Sequence, residues 1–200
     1  MILIMRRGIS RKALSALLTL AMLLSLIPGA AFAAGETGTY QKISAQDQFT
    51  TGQYVMVVDT GYAVGALDGT WLTATEMAAE GDIITGPAAN LVWTITVDGD
   101  SAVLTDANGV TVAPKGGNEN GIVQGDYDWS VVFADGTFQF QGTGEDTVTL
   151  ASNKGSGNGF RAYKNGTISG NPAGYPSNFT LYKLDGEPVE PEPTPEPEGD

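Results

Sequence analysis

The chain has 200 residues, with 27 glycines, no cysteine and no histidine, and its 23 acidic against 10 basic residues give a formal charge of −13. Without histidine or cysteine there is no Ser-His-Asp triad, no thiolate nucleophile, no disulfide framework and no zinc site built on those ligands. Acidity of this size also opposes tight contact with nucleic acid or anionic lipid, because a polyanion repels polyanions.

Residues 1–33 read as a secretory signal. Arg6, Arg7, Arg11 and Lys12 form a positive start, residues 13–27 an apolar stretch, and Pro28-Gly29 a break before Ala31-Phe32-Ala33, an A-x-A cleavage pattern. The apolar stretch is shorter than the roughly 20 residues that span a bilayer, so cleavage after Ala33 is expected and no membrane association after it. Residues 34–200 then keep six bases and all 23 acids, a formal charge of −17. The expected location is extracellular, at a bacterial cell surface.

Residues 40–184 are expected to form one all-β domain. Apolar residues alternate over short stretches at 54–58, 92–97, 131–133, 138–140 and 179–184, with turn pairs such as Asp98-Gly99, Asn108-Gly109, Asn120-Gly121 and Asp135-Gly136 between them. One helical turn or two is expected at residues 73–80, where Thr73 and Glu76 have capping-box spacing and Gly81 supplies a stop. From residue 185 onward acids and prolines alternate, which predicts an extended, disordered segment, either a linker to further domains after Asp200 or a spacer tail.

Internal repetition narrows the architecture. Residues 110–122 lie over residues 148–160 without a gap, and a fainter copy runs through Tyr62-Ala63-Val64-Gly65 to Asp68-Gly69-Thr70-Trp71. In each copy a strand ends in a small residue (Gly65, Ala113, Ala151), and a glycine-bearing loop leads to an apolar residue (Trp71, Ile122, Phe160). A large aromatic, Trp93, Trp129 or Phe179, then opens a further strand. Three four-strand units of this kind predict a β-trefoil-like barrel, in which the aromatics fill the barrel and the small residues allow close approach at its cap. Pairing of residues 54–58 with residues 179–184 would close it and remove exposed edges. The alternative is a two-sheet β-sandwich whose repeats come from hairpin duplication.

The run Trp93-x4-Asp98-Gly99-x4-Leu104-x-Asp106-x-Asn108-Gly109-x3-Ala113, echoed by Trp129-x5-Asp135-Gly136 and Leu150-Ala151, resembles the repeat of fascin-like and ricin-B-like β-trefoil modules. The Gln-x-Trp signature of ricin-B-type repeats is absent, since Leu91-Val92 precede Trp93 and Tyr127-Asp128 precede Trp129, so the resemblance implies the fold and not a simple-sugar site. The domain also resembles accessory modules of large secreted bacterial surface proteins, some of which carry nucleotidase or nuclease domains.

The chemistry-bearing residues point to binding and not to catalysis. The acid pairs Asp126 with Asp128 and Glu145 with Asp146 are near neighbours beside turns, whereas glycosidase carboxylates converge across a cleft at roughly 5 to 9.5 Å. Asp98, Asp100, Asp106 and Asn108 have oxygen ligands for calcium but neither EF-hand nor nonapeptide spacing, so turn formation is the expected role and no metal or other cofactor is expected. The domain has six basic residues, and Lys154, Arg161 and Lys164 fall close together among Asn153, Asn158 and Tyr163. Amides hydrogen-bond hydroxyls, Tyr163 or Tyr175 offers a ring to a sugar face, and Arg161 forks onto a carboxylate or phosphate, which makes a glycan or cell-surface polymer the expected partner. Lys115, Asn118, Asn120 and Tyr127 form a second candidate site at the equivalent place in the preceding unit. The competing expectation is a structural or protein-interaction spacer at the head of a longer exported enzyme, its bases paired with surface acids.

Overall fold

Alternation at period two becomes strand throughout the domain. The computed structural model describes residues 38–77, 81–116, 119–144, 147–153 and 158–185. The expected signal, the expected tail, Asn118, Lys154, Glu145 and Asp146 lie outside the described residues. Within them the strands are β1 (Thr39–Lys42), β2 (Gly52–Val58), β3 (Tyr62–Asp68), β4 (Trp71–Glu76), β5 (Ile83–Thr85), β6 (Val92–Asp98) and β7 (Ser101–Thr105). They continue with β8 (Val112–Pro114), β9 (Ile122–Gln124), β10 (Trp129–Ala134), β11 (Thr137–Gln141), β12 (Val148–Ser152), β13 (Phe160–Lys164) and β14 (Phe179–Leu184). All five stretches read as strands from the sequence are strands.

The strands pair antiparallel in the order β10-β7-β6-β2-β3-β4-β13-β12-β11-β14-β1-β5, with β8 and β9 as a separate ribbon. A further pairing of β10 with β11 closes the first nine into a barrel, so the molecule is not an open two-sheet sandwich. A pairing of β2 with β14 sets Val58 opposite Phe179 and Tyr54 opposite Lys183, as the closing rule anticipated. It also defines a shorter ring, β2-β6-β7-β10-β11-β14, within the same sheet.

Closure places one face of every ring strand inside. Tyr54, Met56 and Val58 of β2, Trp93 and Ile95 of β6, Trp129 of β10, Phe138 and Phe140 of β11, and Phe179 and Leu181 of β14 are buried in one core. Each aromatic brings an estimated 150 to 250 Å² into it. Phe49, just after a 3-10 turn at Gln46–Gln48, packs on Phe138 at 5.1 Å and on Tyr54 at 5.9 Å between ring centroids.

The outer face of β2 is covered as well, which explains its run of consecutive apolar residues. Val55 and Val57 join Tyr40 of β1, Ile84 of β5, Leu91 and Tyr182 in a second buried cluster. Thus β1 and the excursion between β4 and β6 cover the barrel wall where β2 meets β14.

Three hairpins, β3–β4, β8–β9 and β12–β13, meet one another. The Ile122 N–H donates to the Thr70 carbonyl at 3.0 Å, the Gly121 N–H to the Ala162 carbonyl at 3.1 Å, and Phe160 pairs with Leu72 across β13 and β4. Close approach is built in at Gly65, where a Cβ would lie 2.3 Å from Thr73 Oγ1.

Of the helix expected at residues 73–80, residues 73–77 are described and are not helical. Residues 73–76 belong to β4, because β3 offers a free edge that takes Ala74 opposite Val64 and Thr75 opposite Ala63, and the β-branched Thr73 and Thr75 suit a pleat. Thr73 Oγ1 donates to the Ala66 carbonyl in place of capping a helix. Among the described residues the α-helix is α1 (Asn165–Gly170), a short element whose Asn165 Oδ1 accepts from Thr149 Oγ1 at 2.8 Å.

Candidate functional site

Strand β13 carries most of the expected site. Its pairing with β12 sets Ala151 opposite Arg161, Thr149 opposite Tyr163 and Val148 opposite Lys164. Alternation sends Phe160 and Ala162 into the core and turns Arg161 to the opposite face, where it is half-buried. Asn153 and Asn158 flank the preceding turn, and the Asn153 N–H donates to the Gly159 carbonyl at 2.9 Å.

Tyr163 does not offer the ring expected of it. It is 4% exposed and packs on Tyr175 at 4.7 Å between centroids. Burial pushes its phenol above the usual range, against the pull of the Arg161 charge. The two tyrosines stack on each other and form structure under the hairpin.

The second candidate group separates into three roles. Lys115 pairs with Glu119 four residues on, and that hydrogen bond holds the Glu119 carboxyl below the ordinary range. Tyr127 is a structural residue: its hydroxyl accepts from the Thr143 N–H at 2.6 Å and donates to the Thr143 carbonyl at 3.3 Å, and its ring meets Trp129 edge-on at 5.3 Å. Asn120 belongs with β13, since its Oδ1 accepts from the Lys164 N–H at 3.3 Å. The hairpin ends therefore bring Asn120 to the first cluster across 44 residues of chain.

The residue that sequence reasoning missed is Trp71. Aligned with Ile122 and Phe160 as the apolar residue after a glycine-bearing loop, it is 39% exposed, and Leu72 takes the core place. The repeat is displaced by one residue at this point: Gly121-Ile122 and Gly159-Phe160 correspond to Trp71-Leu72. Where two units carry glycine the first carries tryptophan, and this was the readable signal. Phe160 lies opposite Leu72, so one step along Arg161 comes beside Trp71, its guanidinium carbon 4.9 Å from the ring centroid. The Arg161 Nε is buried and has no hydrogen-bond partner among the described residues.

Of the aspartates weighed for calcium, Asp106 and Asp100 are hydrogen-bonded within the fold, as is Asp126, one of the acids weighed for catalysis. Asp106 is 3% exposed, its Oδ1 accepting from the N–H groups of Asn108 at 2.8 Å and Val110 at 3.0 Å and its Oδ2 from that of Leu67 at 3.0 Å. Asp100 accepts from the Gln46 amide at 3.3 Å, and Asp126 from Thr111 Oγ1 at 2.9 Å. A cavity of about 30 Å³ between Phe49, Asp100, Phe133 and Phe138 has room for one water and no ligand of sugar size. Compared with known proteins, the chain matches no family model and no curated sequence.

Proposed function

We propose that residues 40–184 form a β-trefoil that serves as a non-catalytic extracellular module, holding an exported protein to a glycan or another cell-surface polymer. Support for the trefoil comes from the six-strand ring, the three hairpins that meet one another and the resemblance to fascin-like and ricin-B-like repeats. The export signal at residues 1–33 and the linker-like tail support an extracellular accessory role. N-terminal sequencing of exported material would then start at Ala34.

One observation carries the binding reading. Among the described residues, Arg161 and Lys164 make no ion pair, although acids far outnumber bases in the domain. Lys42 and Lys183 likewise make none there, and what sets Arg161 and Lys164 apart is their place together on one strand, β13. These two remain available on one hairpin with Asn120 beside them. Arg161→Ala is expected to weaken retention on cell-wall polysaccharide by about tenfold, about 1.4 kcal/mol, with an unchanged melting midpoint.

The packing of Tyr163 against Tyr175 and the tethering of Tyr127 to Thr143 favour a second reading, a structural spacer in a longer exported protein. Equal retention of the wild type and the Arg161→Ala protein would make that reading the better one.

A further inference from the structure

We infer that Trp71 and Arg161 form one subsite for a carboxylate-bearing sugar, a uronic-acid unit of an acidic polysaccharide. The inference rests on the glycan-binding reading above and names its ligand class. The indole supplies the stacking surface and the guanidinium the partner for the carboxylate.

The residues come together through strand register. Trp71 lies opposite Asp68 across the β3–β4 turn, and β4 pairs on its other edge with β13, so Asp68, Trp71 and Arg161 stand on three successive strands. The acid is on one side of the indole and the base on the other. A sugar lying along the indole with its carboxylate toward Arg161 keeps that charge away from Asp68, whose carboxylate is left to accept from hydroxyls. The order of charges thus selects one orientation of an acidic sugar.

Two further observations separate this place from an ordinary exposed side chain. The first concerns Arg161, whose buried Nε–H is without a partner and whose guanidinium makes no ion pair among the described residues. A partly desolvated cation with an unmet donor is costly to keep, and an anion at its outer nitrogens offsets that cost electrostatically. The second is the backbone next to the indole. Gly159 has φ +94, and a Cβ there would lie 2.5 Å from the Leu72 carbonyl oxygen and 3.9 Å from the Trp71 Cβ. The backbone beside the base of Trp71 therefore runs close against β4 with no side chain of its own at Gly159.

The chain has three tryptophans, and Trp93 and Trp129 are fully buried, so Trp71 is the one whose fluorescence a surface ligand reaches. The test uses the full chain with polygalacturonate and with neutral galactan, followed by affinity electrophoresis and tryptophan emission. Expected at about 0.15 M salt, where the long-range repulsion between this acidic chain and a polyanion is largely screened, are retention by polygalacturonate about tenfold or more above galactan and an emission change that Trp71→Phe removes. Trp71→Ala is expected to reduce retention by about tenfold or more. Arg161→Lys, which keeps the charge and loses the fork, should reduce it severalfold, with melting curves unchanged for both. Equal retention by the two polymers, or full retention by Trp71→Ala, overturns the subsite and leaves glycan binding standing elsewhere on the domain. Absence of retention on these and on cell-wall polysaccharide overturns both.

Discussion

The indole N–H of Trp129 donates to the carbonyl oxygen of Val112 at 3.1 Å. Trp93 makes the same bond to Val64 at 2.9 Å. In each case the aromatic that opens the last strand of a unit ties itself to the residue just before the small one, Ala113 or Gly65, in the second strand of that unit. Phe179, the aromatic aligned with them in sequence, carries no donor and packs on Phe140 at 6.0 Å and Phe160 at 5.9 Å. Trp93 and Trp129 thus share a buried polar contact as well as a sequence pattern.

Replacing either tryptophan by phenylalanine leaves a buried carbonyl without its donor, and a loss of about 1 to 3 kcal/mol is expected. Truncation of Trp93, Trp129 or Phe179 to alanine is expected to cost about 3 to 5 kcal/mol, since all three are fully buried. Urea unfolding monitored by circular dichroism measures both. A phenylalanine variant as stable as the wild type would remove the indole bonds from the account.

The barrel strands were legible because β2, β6, β10, β11 and β14 have one or both faces in the core, and burial writes itself into alternation or into an apolar run. The site was legible only in part. Arg161 was found because cations are scarce in this chain, but the sequence alone does not say whether a tyrosine between half-buried strands faces water or its neighbour. Tyr163 faces Tyr175. Trp71 was hidden by its own hydrophobicity, because an aromatic next to a leucine at a repeat position invites the larger residue into the core. The helix misassignment at residues 73–77 has the same root: local capping signals were outweighed by the free edge of β3, a partner that exists only in the folded barrel.

The one-residue displacement has a direct consequence for stability. Leu72 is fully buried against Phe160, so Leu72→Ala is expected to cost about 2 to 5 kcal/mol. Trp71→Ala, on the exposed face, is expected to stay within about 0.5 kcal/mol. Thermal melts of the two variants measured side by side check the assignment. If Trp71→Ala were the more damaging, the tryptophan would be the core residue after all.

Asp106 serves as a backbone acceptor and not as a metal ligand. Its carboxylate ties the turn after β7 to itself and to the Leu67 N–H of β3. Asp106→Ala strands three N–H donors, and a loss of about 1 to 3 kcal/mol is expected; Asp106→Asn keeps one oxygen for Asn108 and Val110 and should lose less. Calcium or a chelator is expected to leave the melting midpoint of the wild type unmoved. A calcium-dependent rise that Asp106→Asn removes would return this carboxylate to the metal-ligand role.

Alkaline pH should destabilise the barrel through Tyr54. Its ring is fully buried, its hydroxyl donates to the Thr50 carbonyl and accepts from the Thr50 N–H at 3.2 Å, and burial pushes its pKa up to about 12. The unfolded chain ionises this phenol near 10, so above that pH the folded state holds the proton more tightly. Stability from this group is therefore complete below about pH 10 and is lost as pH rises toward 12, by about 2 to 3 kcal/mol. Tyr163 and Tyr182, also raised by burial, act in the same direction. Lys183, whose ammonium lies 5.7 Å from the Tyr54 ring and whose pKa burial lowers, opposes them, since its deprotonation favours the folded state. Tyr54→Phe is expected to lose about 0.5 to 1.5 kcal/mol at neutral pH with the hydroxyl contacts, and to show a shallower fall between pH 10 and 12. Urea titrations at stepped pH give both quantities. An alkaline fall as steep in Tyr54→Phe as in the wild type would assign it to other groups.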